Sequence, residues 1–68
     1  MNRDYDMGIV GCTVVGDNIV TIDLGVDNGG RAVYQVAWFN GKKWKYTQYR
    51  RNREAYNTYK MILDMIQE

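Results

Sequence analysis

The hydrophobic period of this 68-residue chain changes once, near Asn52. Upstream of that point, β-branched and aromatic residues recur with a period of two between turn-forming clusters. Downstream, Ala55, Tyr59, Ile62 and Ile66 recur at helical spacing, with Tyr56 and Leu63 widening the same stripe. A chain this short can bury only about 60% of the surface it exposes when unfolded, so each element must use another as its cover. The expectation is a single domain over residues 1–68, of α+β class: a four-stranded antiparallel β-meander covered on one face by a C-terminal amphipathic helix, in the order ββββα.

The turns place the strands. Residues 9–15 and 18–24 flank Gly16-Asp17 and read as a hairpin, and Val20, Ile22 and Leu24 alternate with Thr21 and Asp23 as in a half-buried strand. Asp27-Asn28-Gly29-Gly30 tolerates positive φ and lets the chain reverse into residues 32–39. Asn40-Gly41 is the strongest turn signal and leads into residues 44–49. In the helix, Asn52 is placed to cap the first turn and Glu54 lies near the positive end of the dipole. Met61 and Met65 read as gap fillers beside the stripe, and Cys12, alternating with Val10 and Val14, as a small core residue.

The register at Asn40-Gly41 has two solutions. An odd loop puts Tyr34, Val36 and Trp38 on one face with Trp44 and Tyr46. A two-residue loop sets them beside Lys43, Lys45 and Thr47 instead, making an aromatic and basic face suited to stacking bases. The odd loop is the expectation, because it buries both tryptophans under the helix, where their apolar area stabilises most.

Between Tyr34 and Tyr59 lie eight of the nine aromatics and six of the nine cationic side chains, with Glu54 the only acid among them. The net charge of +1 hides a split. Residues 1–30 set Arg3 against five aspartates, giving −4, and residues 31–68 set eight cations against Glu54, Asp64 and Glu68, giving +5. Aromatic faces with cations suit nucleic acid or a nucleic-acid-processing protein. The candidate binding residues are Arg50, Arg51, Arg53, Lys42, Lys43, Lys45, Tyr49 and Arg31. The three lysines also serve to keep a hairpin edge from aggregating. The arginines are less easily explained by helix stability, since the dipole disfavours cations at a helix start.

Histidine is absent and cysteine occurs once. That composition excludes a Ser-His-Asp triad, a Cys/His nucleophile pair, a structural zinc site and an intramolecular disulfide. A non-catalytic protein without cofactor or metal is expected, and the single cysteine points to the cytoplasm. No apolar run approaches the ~20 residues that cross a bilayer, and MNRDYDMG lacks the apolar core of a signal peptide, so a soluble chain with no membrane partner is expected.

Residues 34–59 resemble the second half of the three-stranded-sheet DNA-binding domains of plant ethylene-response factors and of some phage and transposon integrases. The shared pattern is an aromatic-led strand, the hairpin Asn40-Gly41-Lys42, a strand ending at Tyr49, then Glu54-Ala55 and Tyr59 on the covering helix. The resemblance implies DNA binding through cations on the exposed sheet face, for which this chain offers Arg31 and Lys45. In size and character the chain is also similar to the small inhibitors that phages and mobile elements carry, such as anti-CRISPR proteins. That similarity implies docking on a defence nuclease and obstruction of its nucleic-acid path or movement.

Overall fold

The computed structural model describes residues 7–67. Arg3, Asp4, Asp6 and Glu68, which contribute to the charge split above, lie outside the described residues. Strands β1 (Met7–Val15), β2 (Asn18–Val26), β3 (Ala32–Phe39) and β4 (Trp44–Tyr49) pair antiparallel in chain order, and helix α1 (Asn52–Ile66) follows. This is the ββββα meander expected from the pattern. The first two strands each run two residues further than their β-branched runs, because the ladder continues through Met7 opposite Gly25 and through Val26 opposite Ala32. Among the described residues, no helix is long and apolar enough to cross a membrane.

The β3–β4 register is the even one, which overturns the expected odd loop. Trp38 pairs with Lys45, Val36 with Thr47 and Tyr34 with Tyr49, while Phe39 pairs with Trp44 and Ala37 with Tyr46. The backbone N–H of Asn40 donates to the Lys43 carbonyl at 3.2 Å, which leaves Gly41 and Lys42 as the two turn residues. The reason lies in where the glycine falls. Gly41 takes φ +97°, and a glycine with positive φ at the first central position suits a two-residue turn whose twist matches the strands. A bulged three-residue loop needs its left-handed residue at the end of the loop, where this chain has lysine. The Asn40 side chain completes the turn by accepting from the N–H groups of Lys42 at 2.9 Å and Lys43 at 3.2 Å.

This register sorts the aromatics. Tyr34, Val36 and Trp38 share the face of Val20 and Ile22 from β2, and α1 lies on that face. Val20, Ile22, Val36 and the helix residue Ala55 form the buried centre, ringed by Tyr34, Trp38, Tyr49, Tyr56, Tyr59, Ile62, Leu63 and Ile66. Burying each Val or Ile side chain contributes about 1.5–3 kcal/mol. Polar tips that enter this face find partners. Trp38 Nε1 donates to Asn18 Oδ1 at 3.1 Å, the Tyr59 and Thr13 hydroxyls lie 2.8 Å apart, and Thr58 Oγ1 donates to Tyr49 Oη at 2.8 Å.

Three further expectations are corrected. Cys12 alternates with Val14, but both face away from the helix and Cys12 is exposed, because Gly11 and Thr13 take the covered side; Val10 falls in the register shift between Ile9 and Gly11. A Cβ on Gly11 would stand 3.1 Å from Ile22 Cγ2, a tight approach, and 3.4 Å from Tyr59 Oη, in ordinary contact, so a branched side chain there would crowd both. Asn52 is the first helical residue rather than the cap: Arg51 holds that position in extended backbone and no side chain caps the helix. Met61 and Met65 point to solvent, since the stripe of Ala55, Tyr59, Ile62 and Ile66 fills the sheet face without them.

Replacing Gly11 with valine crowds Ile22 and Tyr59. The variant should be less stable by about 1–3 kcal/mol, the usual cost of overpacking, as read by urea unfolding. Wild-type stability in Gly11→Val would show that the close approach does not hold in solution.

Candidate functional site

The cations that cluster in sequence separate in space. Lys42 and Lys43 lie at the β3–β4 tip, whereas Arg50, Arg51 and Arg53 lie where β4 passes into α1. The six residues of β4 stand between them, a separation of about 20 Å. Lys45 shares the row of Trp38 and Val20 on the helix side of the sheet, at its exposed margin. Tyr49 is also on that side, packed against the core with its hydroxyl bonded to Thr58, so its ring is not a free stacking surface.

Topology brings Arg31 to the other arginines. The β2–β3 turn and the β4–α1 junction occur at the same end of the sheet, because Val26 pairs with Ala32 and Tyr34 with Tyr49. Asp27 ties the two segments. Its Oδ1 accepts from the backbone N–H of Gly29 at 2.9 Å and of Arg31 at 3.0 Å, and its Oδ2 lies 2.6 Å from Arg50 Nη1. Arg50 Nη1 also donates to the Ala32 carbonyl at 3.3 Å. Arg31, Arg51 and Arg53 are exposed, and their end of the molecule sets four arginines against Asp27 and Glu54, a local excess of +2. The helix start adds to it: the N–H groups of its first turn receive no side-chain cap, and such groups attract anions.

A second surface, which the sequence reading did not assign, is the sheet face opposite α1. Across it run the rows Val14, Ile19, Phe39, Trp44 and then Cys12, Thr21, Ala37, Tyr46. Trp44 stacks beside Tyr46 with ring centroids 6.0 Å apart and tilts against Phe39 at 5.3 Å. Val14 is 63%, Tyr46 60% and Trp44 41% exposed, whereas Ile19, Thr21 and Phe39 are half-buried and Ala37 is buried among them. The signal for this surface was the alternative two-residue loop, whose register sends 39, 44 and 46 outward together.

The next row carries Asp23, Gln35 and Gln48, with Gln48 Nε2 donating to Gln35 Oε1 at 3.1 Å. Asp23 Oδ1 is buried with no hydrogen-bond partner among the described residues, and burial pushes its carboxyl above the ordinary value. Asp27 moves the other way, held below that value chiefly by the Arg31 N–H, with Arg50 and Gly29 assisting.

Comparison with protein-family models, curated proteins and solved structures finds no match to the chain. The reading of both surfaces therefore rests on their chemistry.

Because the folded state lowers the Asp27 pKa, its contribution to stability is present above the unfolded value and is lost as pH falls through the folded one. A carboxyl-resolved NMR titration should place Asp27 below 3.8 and Asp23 above it. In Arg50→Ala, Asp27 should move part of the way back; an unmoved Asp27 would show that the ion pair is not formed in solution.

Proposed function

We propose that this is a small non-catalytic binding protein that engages nucleic acid through its arginine end, and that it serves a phage or mobile element. The observation that carries this reading is the convergence of Arg31, Arg50, Arg51 and Arg53 at one end of the sheet beside an uncapped helix start. Phosphate oxygens suit both groups: guanidinium binds them bidentately, and first-turn amides point donors at them. Arg50 is held in place by Asp27, so it orients the end as well as adding charge, while Arg31, Arg51 and Arg53 remain available. Lys42 and Lys43 are too distant to join the same contact and steer the approach instead.

The second reading is a stand-alone inhibitor of the anti-CRISPR kind that docks on a nucleic-acid-processing protein. What favours it is the outward sheet face, where aromatic side chains are concentrated and Asp23 is the only charged group in its rows of described side chains. Aromatic enrichment with charge depletion is the composition of protein interface centres.

Fluorescence anisotropy with labelled duplex and single-stranded DNA across a salt series decides the first reading. Wild-type affinity should fall linearly with the logarithm of salt. The triple variant Arg31→Ala, Arg51→Ala, Arg53→Ala should bind at least tenfold more weakly, with a duplex slope flatter by about 0.9 for each lost phosphate contact. A triple variant with the wild-type slope would remove the phosphate role, and no binding by the wild type would leave the protein-docking reading.

A further inference from the structure

The outward sheet face is tall along one edge and shallow along the other. Trp44 and Tyr46 stand on β4, whereas Val14 and Cys12 occupy the same two rows on β1, with Ile19, Phe39, Thr21 and Ala37 between them. We propose that this face is the interface of a symmetric dimer, in which a second copy of the chain packs its own outward face against it about a two-fold axis running along the strands. This goes beyond the nucleic-acid reading and uses a different surface.

An axis along the strands reverses strand order and preserves the rows. Each Trp44 then meets the second copy's Val14, and each Tyr46 the second copy's Cys12. Ile19 meets Phe39, and Thr21 lies over Ala37, which its own neighbours already bury. Bulk on one edge fills the shallow edge opposite, which is the self-complementarity an isologous interface requires. A two-fold axis across the strands would instead set Trp44 and Tyr46 against their own kind and leave Val14 and Cys12 facing each other over a gap. Aligned sheets pack about 10 Å apart, a spacing that side chains of this size fill.

Charge agrees with the same axis. The gap between the two sheets would hold no cation from β4, since Lys45 lies on the other face. The acidic β1–β2 half of one copy lies over the basic half of the other. Asp17 of the β1–β2 turn lies beside Gly41 of its own β3–β4 turn, at the end of the sheet where the axis also brings the second copy's Lys42 and Lys43. Asp23 and Gln35 share a row, so the axis sets each opposite the other in the second copy. The same axis carries the arginine ends of both copies to one end of the dimer.

The area sets the strength. Four strands about 4.8 Å apart and about 20 Å long present roughly 400 Å² of projected face, below the ~800 Å² per partner of a standard interface. The dimer is therefore weak, with a Kd in about the micromolar range.

Sedimentation velocity on the full chain from about 1 to 500 µM should show the 8.0 kDa species doubling in mass. Tyr46→Lys should raise Kd at least tenfold while keeping the wild-type circular dichroism spectrum; if it unfolds, Tyr46→Gln replaces it. Trp44→Lys and Val14→Glu should each be monomeric alone and form a heterodimer when mixed, because the introduced charges then meet across the interface. A wild-type monomer at every concentration overturns the proposal, including one that binds a different protein by this face. A dimer indifferent to Tyr46→Lys overturns the face, and a mixture that stays monomeric overturns the axis. The arginine triple variant should dimerise as the wild type does, so failure of the nucleic-acid reading is read separately.

Discussion

One helix has to cover a sheet with two faces, and the backbone angle of Gly41 decides which aromatics it covers. With φ +97° at the first of two turn residues, Gly41 closes the β3–β4 hairpin in an even register. Side chains alternate with a period of two, so that parity sends Trp38 under α1 and Trp44 outward. The core that results is narrow. Val20, Ile22, Val36 and Ala55 are its buried centre, and tyrosines make up much of its ring, each of two hydroxyls finding a threonine at the margin. Gly11 completes the fit, since it leaves room beside Ile22 and beneath the Tyr59 hydroxyl.

The price of that parity is an apolar face left in water. Tyr46 and Val14 are among the most exposed large hydrophobic groups and Trp44 beside them is exposed too, although hydrophobic burial is the main favourable contribution to folding in so small a chain. A contiguous aromatic surface on a monomer commonly marks a place of contact. On the helix side the aromatics Tyr34, Trp38 and Tyr49 pack against the core, and the exposed apolar groups are Leu24 and Val26 at the end of β2.

Electrostatics divides along a different line. In the chain, cations crowd into one stretch; in the fold, a strand of six residues separates the lysine tip from the arginine end. Asp27 belongs to the acidic half of the sequence, yet the β2–β3 turn sets it among arginines, where it orders Arg50 and the Arg31 backbone. A carboxylate thus shapes the most basic part of the molecule.

The sequence by itself determined the element order, the strand and helix spans to within two residues, and the stripe of α1 that meets the sheet. All of these follow from local periodicity and turn chemistry, which act over a few residues. It also marked Arg50, Arg51 and Arg53 as neighbours, because they are contiguous. Only the tertiary structure decided that Arg31 joins them, that Lys42, Lys43 and Lys45 do not, and that Phe39, Trp44 and Tyr46 face away from the helix. Those outcomes depend on register and on which face the helix covers. A shift of one residue inverts every side chain beyond a turn, and the turn's conformation depends on the position of one glycine within it, a detail that hydrophobic pattern alone does not record.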